Sequence, residues 1–243
     1  VSYALQHKRR ILANGAAAVN AAAEAAALAY SPAEALSSPA NARKHLALME
    51  ASLDEDLARL SDIKGLATRQ DLKRNELLPK YQDYVQRYLA SGLVFQNRVL
   101  VQVMVWLFDT AQLDDALELA DIAIEQGQQM PERFKRDIPT FVADAVCEWA
   151  YDEHQAGRSP EPYLSYLLPR VGEWNLPEQI PAKYHKLIGI RALEAKEWAK
   201  AIEHLERATE LYPKVGVGTR IENARKALRK QQAAPLAPPP ENP

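Results

Sequence analysis

An all-α protein is what this sequence predicts, and three observations carry the prediction. Glycine is scarce, nine in 243 residues, while alanine, leucine and glutamate, all good helix formers, are common. Apolar residues recur three or four positions apart over long stretches, the spacing of one helix face. Prolines and glycines divide the chain into segments of helical length. The expected architecture is multi-helix with antiparallel helical hairpins, a tetratricopeptide-like hairpin near the C-terminus, a flexible N-terminal arm and a disordered C-terminal tail.

The arm covers residues 1–40. It opens on the basic run Lys8-Arg9-Arg10 and continues into 13–29, where eleven of seventeen residues are alanine. Alanine favours helix but offers little area to bury, and Ser31-Pro32 and Ser37-Ser38-Pro39 then make a linker. Lys8, Arg9 and Arg10 fit equally a solvated charge cluster or a phosphate-contacting arm.

Residues 41–131 form the expected core. Leu46, Met49, Leu53, Leu57 and Leu60 lie on one side of an amphipathic helix over 41–62, with Arg43, Lys44, Glu50, Asp54 and Arg59 opposite and Gly65 after it. Thr68 and Asp71 resemble a capping box for the next helix. Pro79 ends or kinks that helix at Leu78 and suits the first turn of another, carrying Tyr81, Tyr84, Val85, Tyr88 and Leu89. Residues 94–108 are apolar nearly all round, so they predict a helix buried on every side. Leu113, Leu117, Ala120 and Ile124 predict an amphipathic helix over 113–126, capped by Gly127.

A C-terminal helical domain is expected over 132–232. Pro139 begins a helix with Phe141, Val142, Ala145, Val146, Trp149 and Ala150 on its apolar side. The prolines at 160, 162, 169, 177 and 181 leave room for a short helix near 163–168. Over 182–212, Gly189, Ala201 and Ala208 are the small residues that let two antiparallel helices approach. A basic helix over 219–232 carries Arg220, Arg225, Lys226, Arg229 and Lys230, and the Pro- and Ala-rich tail 233–243 follows.

Net charge is only −2, yet it is unevenly spread. Residues 1–90 hold twelve Lys and Arg against ten Asp and Glu, residues 91–180 six against fifteen, and residues 181–243 twelve against seven. An acidic centre between basic ends points to different partners for each. Cys147 is the single cysteine, which excludes an internal disulfide and a cysteine-based zinc cluster and fits a reducing compartment. The apolar run 103–108 is far too short to span a membrane, and no signal-peptide pattern opens the chain.

Few motifs carry chemistry. There is no phosphate-binding loop ending in Lys-Ser or Lys-Thr, and no Gly-x-Ser-x-Gly nucleophile motif. None of the five histidines stands at metal-ligand spacing from another His or Cys. Asp109, Asp114, Asp115 and Glu118 are the carboxylates that a Mg²⁺-dependent nuclease would draw on, with Asp114 and Asp115 the candidates. Their spacing along one helix face is that of a solvated surface, so the residues alone predict no metal site and no catalytic residue.

Six motifs in fixed order take the reading further. They are Lys73-Arg74-Asn75-Glu76-Leu77-Leu78-Pro79, Trp106-Leu107-Phe108-Asp109-Thr110, Ala116-Leu117-Glu118-Leu119-Ala120, Gly127-Gln128-Gln129-Met130-Pro131, His185-Lys186-Leu187-Ile188-Gly189 and Leu205-Glu206-Arg207-Ala208-Thr209-Glu210-Leu211. Together they resemble the small terminase subunit of P2-like tailed bacteriophages, often named the terminase endonuclease subunit. The resemblance covers roughly residues 45–225.

It implies a protein of the bacterial host cytoplasm that packages double-stranded viral DNA by recognising its cos site. It implies a ring-shaped homo-oligomer, and a separate large subunit that supplies the ATPase, its ATP and Mg²⁺, and the cutting nuclease. No cofactor is then expected on this chain. DNA-binding elements are expected toward the N-terminus and large-subunit contacts in 132–232. The chain departs from the basic tail expected of such relatives, because its last eleven residues hold Glu241 and no base. That moves the expected DNA contacts to Lys8, Arg9, Arg10, Arg43, Lys44, Lys73 and Arg74. Two other readings stand beside this one: a helical-hairpin adaptor that binds only protein, and an endonuclease in its own right.

Overall fold

The computed structural model describes Leu36 and residues 39–233, and these are helical with no strand. Most of the expected N-terminal arm and C-terminal tail, Lys8, Arg9 and Arg10 included, lies outside the described residues, whereas Pro39 and Ala40, expected in the linker, open the first helix. The chain divides into two units, Val1–Val142 and Ala143–Pro243.

The first unit is built around one helix. In order it holds α1 (Pro39–Asp62), α2 (Leu66–Leu72), a π turn (Lys73–Leu77), α3 (Leu78–Ser91), α4 (Arg98–Asp109), α5 (Leu113–Glu125) and the first turn of α6 (Ile138–Gln155). Every residue of α4 from Val99 to Phe108 is buried, as an apolar sequence with no polar face requires. Its start differs from the expectation. Val94 is 61% exposed and lies in the loop before the helix. Asn97 caps α4 instead, its Oδ1 accepting from the Leu100 N–H at 3.1 Å, which fixes the first turn where propensity alone would begin it earlier.

The segment around Pro79 also departs from the prediction. Thr68 does not cap α2; Gly65 occupies that position, without a side-chain cap. Pro79 stands in the first turn of α3 as expected, but the chain does not leave helical geometry before it. It has no N–H to give the Asn75 carbonyl four residues back, and the chain adapts by widening into the π turn, where the Leu78 N–H bonds to the Lys73 carbonyl. From Leu66 to Ser91 the backbone therefore stays helical.

The stripe on α1 is less apolar than its leucines suggest. Ala42, Leu53 and Leu60 are buried, but so are Asn41, His45 and Asp56, while Leu46, Met49 and Leu57 are only half-buried. At the far end of the unit, α5 closes with Gly127 in the left-handed region at φ 62°. The Gly127 N–H reaches the Ile124 carbonyl and the Gln128 N–H reaches Ala123, the Schellman arrangement that glycine accommodates without a Cβ clash.

The second unit contains the rest of α6, α7 (Tyr163–Glu173), α8 (Gln179–Glu194), α9 (Trp198–Leu211), a 3₁₀ turn (Pro213–Val215) and α10 (Gly218–Ala233). On α6 the buried row is Val142, Ala143, Val146, Cys147 and Ala150, one position round from the expected side. The reason is α8, whose Tyr184 hydroxyl donates to the Ala143 carbonyl at 2.8 Å and covers that edge. Helix α7 runs past Pro169, beyond the predicted end at 168. The carbonyl that Pro169 cannot bond belongs to Ser165, which is exposed, so water can satisfy it.

The predicted hairpin is present as α8 and α9. A Cβ on Gly189 would stand 2.7 Å from Leu205 Cγ and 3.3 Å from the Ala201 carbonyl, so only glycine permits this approach. Ala201 and Ala208 are fully buried on the facing helix. Val217, just before α10, and Ile221 within it then close the far side by packing on Leu205.

Candidate functional site

The π turn is where three of the sequence-predicted residues of the first unit, Lys73, Arg74 and Asp109, converge. It projects Lys73, Arg74 and Glu76 from a helix that would otherwise carry them a fraction of a turn away. Lys73 Nζ lies 2.6 Å from Asp109 Oδ2, and its side chain is only 13% exposed. Arg74 Nη2 donates to the Thr110 carbonyl at 2.9 Å, and Gln70 Nε2 to the Asp109 carbonyl at 3.0 Å. These three side chains close the C-terminus of α4, where the last carbonyls lack helical partners and the helix dipole favours positive charge. Two of the ordered sequence motifs, the one from Lys73 and the one ending at Thr110, are thus bonded to each other.

A second set of bonds ties α1 to the same junction. Arg59 forms a two-pronged ion pair with Glu76, one prong at 2.9 Å. The Arg59 guanidinium holds the Glu76 carboxyl below its ordinary range. Asp56 Oδ2 accepts from Tyr81 Oη at 2.6 Å and from Lys80 Nζ at 2.7 Å. Burial, reinforced by that carboxylate, pushes the Tyr81 phenol well above its usual value, so it stays a donor. Asp56 has no place among the residues the sequence singled out. The signal for it was a carboxylate three positions after Leu53 and four before Leu60, inside the buried stripe rather than opposite it.

The remaining candidates are spread out. Arg43 and Lys44 are exposed on the first turns of α1. Asp114 and Asp115 are exposed at the start of α5, and Asp109 is committed to Lys73. Burial and then the neighbouring Glu118 and Asp114 charges raise the Asp115 carboxyl. Among the described residues, no group of three or more His, Cys, Asp or Glu side chains is placed to hold a metal ion.

The second unit brings together two residues that spacing along the chain separated. His185 on α8 and His204 on α9 stand with Nδ1 atoms 3.0 Å apart, nineteen positions distant in sequence. The hairpin register contains the signal for this pair. With Gly189 facing Ala201 and Leu205, one turn earlier on α8 puts His185 beside the part of α9 that begins at Leu205, and His204 flanks that position. A pocket of about 610 Å³ in the same unit is walled by Tyr151 and Tyr212 and rimmed by Lys183, Lys186 and Lys214, with Cys147 at its base. Burial pushes the Cys147 thiol up to about 12.

The sequence profile of the family described as phage small terminase subunit matches residues 50–179. The chain belongs to that family. It is 37% identical over 190 residues to the "Probable terminase, endonuclease subunit" of Haemophilus phage HP1, covering 72% of this chain and 68% of that one. It is 30% identical over 198 residues to the "Terminase, endonuclease subunit" of Escherichia phage P2, covering 80% of each. No solved structure matches the chain. The family match runs from within α1 to the first residue of α8, and so includes the whole clamp between the π turn and α4. No helix among the described residues is long and apolar enough to cross a membrane.

Proposed function

We propose that this small terminase subunit binds the cos packaging site of concatemeric double-stranded phage DNA and, with a large subunit carrying ATPase and nuclease, initiates cleavage and packaging into procapsids. The observation that carries this reading is family membership across residues 50–179. In this reading the protein works in the host cytoplasm as a ring-shaped homo-oligomer, with ATP and Mg²⁺ bound by the large subunit. The DNA contacts in this reading are Lys8, Arg9, Arg10, Arg43, Lys44, Lys73 and Arg74. The exposure of Arg43 and Lys44 supports direct phosphate contact. Lys73 and Arg74 already bond the end of α4, so replacing either changes the frame as well as the charge.

Salt separates the two effects. Phosphate contacts release counterions, and each one removed lowers the slope of log affinity against log salt by about 1. Reversing Arg43 and Lys44 is expected to lower the slope for a cos-containing duplex by about 2 without changing thermal stability. Unchanged affinity after charge reversal at all seven positions would remove the assignment.

The relatives' names favour a second reading, a nuclease in this chain itself. It requires Mg²⁺-dependent nicking by the purified chain that disappears when Asp114→Ala and Asp115→Ala are combined. Absence of nicking by the purified chain removes this second reading.

A further inference from the structure

The motif beginning at His185 finds no use in DNA recognition, and it lies beyond residue 179, where the family match ends. His185 and His204 face each other across the α8–α9 hairpin, each part-buried, with ring centroids 5.1 Å apart and planes inclined by 34°. With Nδ1 atoms at 3.0 Å and centroids at 5.1 Å, the rings meet nearly nitrogen to nitrogen. That is the arrangement of one N–H···N hydrogen bond. Two lone pairs held at about 2.0–2.1 Å from a metal would instead aim at a common point off the line between them.

We propose that His185 and His204 form a proton-operated latch on the α8–α9 hairpin. When both rings are neutral, one presents Nδ1–H and the other a bare Nδ1, so the two tautomers are opposite. A first added proton goes to the free Nε2 of the donor ring and leaves the bond in place. A second can bind only at the accepting Nδ1. It turns both nitrogens into donors, breaks the bond and sets two cations face to face between the helices.

The surroundings make that second proton costly. Burial is the main cause that lowers both imidazoles, His185 to about 4. His204 and Arg207 lower His185 further, Lys200 lowers His204, and Glu203 acts in the opposite sense on both. The other carboxylates lining this pocket are already paired, Glu210 with Arg207 on α9 and Glu206 with Arg225 on α10. Few charges remain to neutralise an imidazolium pair. Since the folded values lie below those of free histidine, the unfolded chain binds protons first as pH falls. The latch therefore contributes fully above about pH 6.5 and is lost as pH drops toward the folded values.

Nitrogen-15 imidazole spectra of the full chain test the geometry directly. At pH 7.5 one of the two rings is expected as the Nδ1–H tautomer and the other as Nε2–H; the same tautomer in both overturns the proposal. Melting curves from pH 7.5 to 4.5 test the consequence. The wild type is expected to lose at least roughly 3 °C more than His185→Gln or His204→Gln, and parallel curves overturn it. Amide protons of α8 and α9 are expected to lose protection at a pH where those of α4 keep theirs; simultaneous loss contradicts a local latch. A rise in melting temperature with micromolar Zn²⁺ that needs both histidines would make the pair a metal site, and would overturn the proposal as well.

Discussion

Around α4 the first unit is assembled from large side chains, whereas the α8–α9 hairpin of the second is assembled by leaving them out. Trp106, Tyr81, Tyr84 and Tyr88 are all fully buried in the first unit, and the tyrosine hydroxyls find partners there. Tyr84 Oη accepts from Asn97 Nδ2 at 2.9 Å, and Tyr88 Oη donates to Gln126 Oε1 at 2.8 Å. Gln128 joins the same network, its Oε1 accepting from the Asn97 N–H at 2.7 Å and its Nε2 donating to the Phe95 carbonyl at 2.7 Å. In the hairpin, by contrast, Gly189 takes the Leu205 side chain directly against its backbone, and the small Ala201 and Ala208 are fully buried on the facing helix. One region is vulnerable to lost volume and lost polar partners, the other to added volume.

That contrast can be broken most severely at Trp106. Trp106→Ala removes the ring that lies 5.7 Å from Tyr81, and is expected to cost about 3–5 kcal/mol in chemical denaturation. In the hairpin the equivalent injury is an insertion. Gly189→Leu is expected to cost about 1–3 kcal/mol by forcing α8 from α9, while Gly189→Ala costs less, because helix propensity returns up to about 1 kcal/mol. A smooth gain from Gly189→Leu would show that the helices are not held at the described distance.

Smaller changes sharpen the comparison. Asp56→Ala removes the acceptor of the buried Tyr81 hydroxyl, leaving Ser52 as its side-chain partner, and is expected to cost about 1–3 kcal/mol, with Tyr81→Phe restoring part of it in the double variant. Lys73 and Asp109 are expected to show a coupling of about 0.5–1 kcal/mol in a double-mutant cycle, since Asp109 is partly exposed. The smallest signal is chemical. Cys147, buried with its thiol pushed up to about 12, is expected to react with a thiol reagent at pH 8 only as fast as the second unit opens.

Much of the fold could be read along the chain. An apolar run with no polar face has one physical outcome, and α4 is buried throughout. Gly127 announced the end of α5, and the small residues of 182–212 announced a close hairpin. What escaped were features that depend on another element. Pro79 looks like a helix end because its missing N–H is visible in sequence, but the π turn that absorbs it is a cooperative adjustment of five residues. Pro169 looked like a stop because the exposure of Ser165, which makes its free carbonyl harmless, is a tertiary property.

The candidate site shows the same limit. Lys73 and Arg74 can be recognised as a basic pair in a motif, yet Asp109 and Thr110, which they bond, are thirty-six residues away. A cation's partner is chosen by whatever helix end packs beside it, and periodicity carries no information about that choice. His185 and His204 were likewise two isolated imidazoles until the hairpin register set them nitrogen to nitrogen.

By itself, then, the sequence determined the helical class, the buried centre, the close hairpin and, through the order of its motifs, the family. Those properties follow from side-chain size, polarity and backbone freedom, which each residue carries wherever it stands. Only the tertiary structure decided which charges are spent inside the protein and which remain at the surface. That decision rests on distances of a few ångströms between helices, and over such distances hydrogen bonds and ion pairs exist or do not.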